Sequence, residues 1–276
     1  MSPGTAALLT VMTAATPPTP VFVDVSAAQG LLAEGARVLD ARGGKARAPF
    51  LPGAVPTSWT DVRAGLLRVG RLGRPEEARE HYAGRGVDIE RPVLVYGGAD
   101  EGWGEEGRIW WDLRYLGHPQ VFILNGGVKA WVQAGGRTAQ TASGPLPGRF
   151  PALALRADLR TEHAELVEAS ESRTLLDART PDEFGGATPF LSPRGGHIPG
   201  ARNLHWKDLL AEDGRLRSEG DLRLVLGELE DSVAVYCTGG VRSAFVVAVL
   251  THLGETAKNY DGSWWDWSAR EELPVE

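Results

Sequence analysis

The chain has 276 residues, 42% of them hydrophobic and 24% charged, and a formal net charge of −7. That length suits two domains better than one core, and the composition is that of a folded globular protein, which excludes wholesale disorder. No basic run is dense enough to neutralise a phosphate backbone, and no apolar run nears the roughly 20 residues of a membrane helix, so neither nucleic acid nor membrane is an expected partner. A single cysteine excludes an internal disulfide framework and a Cys-rich metal site, and suits a reducing, cytoplasmic compartment.

In chain order, the opening MSPGTAALLTVMTAATPPTP holds a short apolar stretch with no Lys or Arg before it and a poor cleavage region after it. Residues 1–19 are expected to be a flexible N-terminal extension. A first domain is placed at 20–138. In it, Ser26 and Gln29 have the spacing of a capping box, and Arg74-Pro75-Glu76-Glu77 opens a second helix with proline and acids in its first turn. The Gly- and Pro-rich stretch at 139–155 is the expected linker, leaving 156–276 for a second domain.

The second half repeats the first. Val38–Arg42 (VLDAR) returns as Leu175–Arg179 (LLDAR), Val93–Gly98 (VLVYGG) as Val233–Thr238 (VAVYCT), and Asn125–Trp131 (NGGVKAW) as Asp261–Trp267 (DGSWWDW). A period above one hundred residues means duplicated domains, since solenoid repeats are much shorter. Thr174–Leu176, Val233–Tyr236 and Lys258–Tyr260 read as strands, and Glu219–Glu230 and Ser243–Leu253 as helices. Strands alternating with helices predict an α/β fold: in each domain a mainly parallel sheet flanked by helices.

Cys237 falls between the predicted strand and helix, in the loop Cys237-Thr238-Gly239-Gly240-Val241-Arg242. The carboxyl ends of parallel strands are where ligands bind, and a loop entering a helix points N–H groups at its contents. Gly239 and Gly240 allow a tight curl, and Arg242 adds a cation. Both influences favour thiolate over thiol. A buried structural cysteine is the bland alternative for any lone thiol; the strand–loop–helix position favours chemistry.

Four segments together resemble the tandem-domain rhodanese family: Asp177-Ala178-Arg179, Gly195-Gly196-His197-Ile198-Pro199-Gly200-Ala201, Tyr236-Cys237-Thr238-Gly239-Gly240-Val241-Arg242-Ser243 and Asp261-Gly262-Ser263-Trp264. The resemblance covers nearly the whole chain after the extension. It implies a sulfurtransferase in which Cys237 takes sulfane sulfur from a small anionic donor and passes it to cyanide or a thiol, with no cofactor and no metal. The site it implies is Cys237 as nucleophile, with Thr238, Gly239, Gly240, Val241, Arg242, Arg179 and Arg194 binding substrate. Asp177–Arg179 also has a plainer reading as a strand-end ion pair, His197 reads as a turn residue, and Glu183-Phe184 and the tryptophans 264, 265 and 267 read as packing.

The first domain reads as catalytically silent. Tyr96 matches Tyr236, so Gly97 stands where Cys237 stands, and the segment that follows is four residues longer and rich in acids. The family's thiosulfate enzymes carry basic residues directly after the cysteine, whereas Thr238 and Gly239 occupy those positions here. Its mercaptopyruvate enzymes use a loop serine and a first-domain histidine, and Gly239 and Phe50 stand there instead. The loss of both proton-handling groups makes thiosulfate the favoured donor, with 3-mercaptopyruvate transfer or a non-enzymatic persulfide carrier as alternatives.

Overall fold

The computed structural model describes residues 20–65, 69–168 and 173–276; the extension expected at 1–19 lies outside them. Short apolar runs bounded by turn residues become strands, as their composition demands. In the first half these are β1 (Phe22–Val23), β2 (Arg37–Asp40), β3 (Val55–Pro56), β4 (Val93–Tyr96) and β5 (Val121–Leu124). The helices are α1 (Val25–Ala33), α2 (Pro75–Gly84), α3 (Glu105–Tyr115) and α4 (Gly127–Gln133). The strands form a parallel sheet in the order β1-β5-β4-β2-β3.

The second half builds the same plan from α5 (His163–Glu168), β6 (Thr174–Asp177), α6 (Pro181–Phe184), β7 (Arg202–Asn203), α7 (Glu219–Leu226), β8 (Val233–Tyr236), α8 (Arg242–His252), β9 (Ala257–Asn259) and α9 (Ser263–Ser268). Its parallel sheet runs β7-β6-β8-β9. The α/β class, the duplication and the parallel sheets agree with the sequence. Two local expectations need correction. Helix α1 begins two residues earlier than the Ser26 box implies, because Asp24 Oδ1 accepts the Ala27 N–H at 2.8 Å. Helix α7 stops at Leu226 instead of Glu230, where Gly227 adopts a φ of 64° that only glycine takes up readily.

The halves meet along their equivalent helices. Helix α8 is apolar on every side (SAFVVAVL) and buried from Arg242 to Leu250, as an all-round hydrophobic helix must be. It packs on α3, where Gly104 and Gly107 leave room for Phe245; a Cβ on Gly107 would overlap the Phe245 backbone. One face of each sheet and this helix pair form one continuous apolar cluster, while the opposite faces carry clusters of their own. Residues 139–155 carry no regular element, yet they are strapped down by hydrogen bonds from Gly148 to Ala83, from Ile89 to Arg149 and from Arg79 to Leu153.

Candidate active site

Cys237 leaves the carboxyl end of β8, a central strand, and the chain turns at once into α8. The tight ring has local causes. Gly240 has a φ of 75° and sits against the Asp261 carbonyl; a Cβ on Gly239 would overlap the Trp265 ring. The start of α9 clasps the nucleophile from behind. Ser263 Oγ accepts the Cys237 N–H at 3.0 Å and donates to the Tyr260 carbonyl at 2.7 Å, while the Trp264 and Trp265 amides donate to the carbonyls of Cys237 and Thr238. Ser263 holds a positive φ of 54°, an uncommon conformation for serine that these bonds sustain.

The sulfur is itself a hydrogen-bond acceptor. Ser243 Oγ donates to Sγ at 3.5 Å, and the backbone amides of Gly239 and Ser243 point to it as well. Burial favours the neutral thiol, but the charge of Arg242 and these three donors outweigh it and hold the pKa below the ordinary thiol value. Cys237 is 1% exposed, yet its side of the loop floors a pocket of about 180 Å³ that it lines with Thr238, Gly239, Val241 and Arg242. The sulfur is thus sheltered but not sealed in the core.

Arg242 is not the free cation that the sequence suggested. Glu183 meets it bidentately, with Nη1–Oε2 at 2.6 Å and Nη2–Oε1 at 2.8 Å, both side chains being almost fully buried. Glu183 Oε1 also accepts from the Thr238 hydroxyl at 2.7 Å, and its other oxygen closes a capping box with Thr180 at the start of α6. Burial works against its charge, but Arg242 and these hydrogen bonds hold its carboxyl at about 2. The Glu183 reading as surface packing is therefore corrected: it is the counter-ion of the cysteine loop. Among the sequence signals, Thr180-Pro181-Asp182-Glu183 has the spacing of a capping box, which would have ordered Glu183 but not paired it.

Two further expectations fail on geometry. Arg179 is spent on Asp177 (2.9 Å from Nε, 2.6 Å from Nη2) and on the Gly196 carbonyl, and lies over the Trp264 ring at 4.7 Å. The first domain repeats this pair, with Arg42 on Asp40 at 2.9 and 2.7 Å, and in both domains the tyrosine shared by the repeats, Tyr96 or Tyr236, accepts an amide from the loop after the Asp-Ala-Arg segment, Leu51 or Ile198. A motif kept where there is no nucleophile belongs to the fold. Arg194 donates to the carbonyls of Trp267, Ser268, Arg270 and Leu273 and so ties down the C-terminal segment instead of reaching the pocket. Gly240 shapes the loop without lining the pocket. His197 stacks on Phe184 at 3.6 Å and bonds its carbonyl, a turn role as expected.

The rest of the wall was not read from the sequence: Trp59 and Trp103 from the first half, and Phe190 and Trp265 from the second. Trp103 and Phe190 meet edge-to-face at 5.4 Å and both flank the Arg242 guanidinium. Behind the loop, Arg108 of α3 donates to the carbonyls of Gly240 at 3.3 Å and Gly239 at 3.5 Å; it is fixed by Asp112 at 2.8 Å and by the faces of Trp59 and Trp111. The first domain therefore supplies one side of the pocket and a brace for the loop. Among the described residues, no helix is long and apolar enough to cross a membrane.

Comparison with known proteins agrees with this geometry. The family model of the rhodanese-like domain matches twice, at residues 24–134 and 160–270. The chain is 33% identical over 242 residues to the thiosulfate sulfurtransferase of Corynebacterium glutamicum, covering 82% of this chain and 79% of that one. It is 35% identical over 238 residues to SseB of Mycobacterium tuberculosis, covering 82% of each. Among solved structures, 3-mercaptopyruvate sulfurtransferase from Leishmania major superposes with a TM-score of 0.78 at 26% identity, over 93% of this chain and 76% of that one. EanB crystallised with hercynine reaches 0.83 at 21% identity, over 93% and 69%, a likeness of fold. The chain belongs to the rhodanese family, with two rhodanese-like domains in tandem, and is a sulfurtransferase.

Proposed function

We propose that the protein moves sulfane sulfur from thiosulfate, through a persulfide on Cys237, to a thiophilic acceptor such as cyanide or a thiol. The observation that carries this reading is the surround of Sγ: a hydroxyl, two amides and a nearby guanidinium converge on one sulfur at the floor of a pocket. In the first half-reaction, the Cys237 thiolate attacks the outer sulfur of thiosulfate. The donor's S–S bond breaks and sulfite leaves with the electron pair. The donors that favoured the thiolate then serve the anionic persulfide. In the second, the acceptor attacks the outer persulfide sulfur and the electron pair returns to Cys237, giving ping-pong kinetics. Thiosulfate is supported as donor by the named Corynebacterium relative. Mercaptopyruvate is the weaker reading, because Phe50 is packed in the first domain under Arg42 and, among the described residues, no histidine lines the pocket.

The test is Cys237→Ser assayed with thiosulfate and cyanide, alongside mass spectrometry of the thiosulfate-treated protein. The wild type is expected to gain one sulfur and release thiocyanate, and the variant to do neither while folding normally. Thiocyanate production by Cys237→Ser would end the proposal.

A further inference from the structure

The pocket above Cys237 has a composition that a small dianion alone does not call for. Among the described residues its one lining cation is Arg242, whose two terminal nitrogens donate to Glu183 and Thr238. Beyond Cys237, Thr238 and Gly239 at its floor, the described walls are four aromatic rings and Val241, enclosing about 180 Å³. Apolar cavities of about 150 Å³ are large enough for benzene. The rings are also held in place. Trp103 and Phe190 are fixed edge-to-face at 88°, and Trp265 Nε1 donates to the Phe190 carbonyl at 3.2 Å. Trp103 is 45% exposed, so it serves no core. It stands in the stretch by which the silent domain's loop exceeds the catalytic one, and from there it reaches the other domain's pocket.

Building on the persulfide reading above, we infer that the sulfur acceptor is an organic thiol with an aromatic body, and that Trp103 determines this specificity from the inactive domain. The ring lies against Trp103, Phe190 and Trp265 while its thiolate points down at the outer sulfur of the Cys237 persulfide. The acceptor sulfur bonds to that outer sulfur as the Cys237 S–S bond breaks. The electron pair stays on Cys237 as a thiolate, and the product leaves as an aryl-bearing persulfide anion that carries the transferred sulfur. No oxidant or reductant enters. Planar rings meeting aromatic walls edge-on or offset gain beyond simple burial, a gain that hydroxylated aliphatic thiols of equal acidity do not share.

The experiment loads Cys237 with sulfur from polysulfide, so that donor choice plays no part, and follows single-turnover discharge to benzyl mercaptan, 2-mercaptoethanol and cyanide. The wild type is expected to prefer benzyl mercaptan over 2-mercaptoethanol by about tenfold in kcat/KM, the scale of one good aromatic contact. In Trp103→Ala that ratio should fall to within about twofold of unity, and Phe190→Ala should lower it as well. Discharge to cyanide with equal rates for the two thiols would overturn the aromatic acceptor and leave the persulfide reading standing, as would a Trp103→Ala variant that keeps the tenfold ratio. Absence of any cyanide-releasable sulfur would overturn the persulfide reading and this inference with it.

Discussion

The same strand–loop–helix is built twice in this molecule, and only one copy holds a cysteine. After Tyr236 come Cys237 and a four-residue bridge to Arg242-Ser243; after Tyr96 come Gly97 and a seven-residue bridge to Glu105-Glu106. Where Ser243 turns a hydroxyl to the sulfur, Glu106 turns a carboxylate into the space a side chain on Gly97 would need. Where Arg242 brings a positive charge, Glu105 brings a negative one, and Glu183, the partner of Arg242, is matched by Ala46. The first copy thus differs by more than its cysteine: its helix start carries the opposite sign of charge. It has been turned outward to the other site, lending Trp103, Trp59 and Arg108 to the pocket and loop of its neighbour.

The largest effect expected from disturbing this contrast is at Glu183. Glu183→Gln leaves the almost wholly buried Arg242 without its counter-charge, and breaking a buried pair on one side costs about 3–5 kcal/mol. The carboxyl, held at about 2, contributes stability above its unfolded value near 4.5 that is lost as pH falls through that window to about 2. Urea denaturation at pH 7 should therefore show the full deficit, and at pH 3 a smaller one. Alkylation of Cys237 against pH should also move to lower pH, since an unneutralised guanidinium favours the thiolate more strongly; an unmoved profile would show that Arg242 acts on Glu183 alone.

Gly97→Cys asks whether a cysteine is all that the first site lacks. Its Cβ would overlap Glu106 Oε2, so the substitution is expected to cost about 1–3 kcal/mol, the range of an overpacked core. Glu106→Ser in the same chain should restore much of that loss in thermal unfolding. Neither variant should acquire a second reactive thiol, because Glu105 stands where Arg242 stands in the other loop, and Glu101 and Glu105 offset the cations Arg42 and Lys45 that line the same pocket. Two equivalents of sulfur per chain after thiosulfate treatment would contradict the view that loop length and charge, more than the missing nucleophile, silence the site.

What could be read from the sequence follows from how local each cause is. Tyr236-Cys237 and the α8 start were legible because an apolar strand, two glycines and a run of apolar residues are contiguous signals. The domain duplication was legible because equivalent segments keep their order. Glu183 was missed because its pairing spans 59 positions and its local signature announces only a cap. Trp59 and Trp103 were missed because they act across the domain boundary, where no spacing rule applies. Arg179 misled for the opposite reason: the family resemblance placed it beside the cysteine loop, whereas its ion pair recurs at Arg42 and Asp40, where no cysteine stands, as the plainer strand-end reading allowed.

Glu106 offers a pH test of the silent loop that the catalytic loop should not share. Burial, with help from the charge of Glu105, pushes its carboxyl from the usual 4.5 up to about 8. The folded state thus keeps a proton that the unfolded chain releases, and stability declines as pH climbs from about 4.5 to about 8, then levels off. Glu106→Gln, neutral throughout, is expected to match the wild type near pH 4.5 and to unfold at a clearly higher urea concentration than it at pH 8.5; midpoints that keep the same separation at both values would contradict a proton held by Glu106.

Arg194→Ala should have the smallest effect, and its kinetics carry the information. The side chain bonds four carbonyls near the C-terminus at 2.6–3.1 Å and touches no pocket residue's polar atoms there. Losing a set of partly exposed hydrogen bonds of this kind costs about 1–2 kcal/mol. The KM for thiosulfate is expected to stay within about twofold, since nothing that faces Sγ has moved. A tenfold rise in that KM with kcat intact would return Arg194 to the donor site, and would mean that the C-terminal segment it fastens opens during turnover; a loss confined to the unfolding curve keeps the whole catalytic apparatus within the ring from Cys237 to Ser243 and the walls around it.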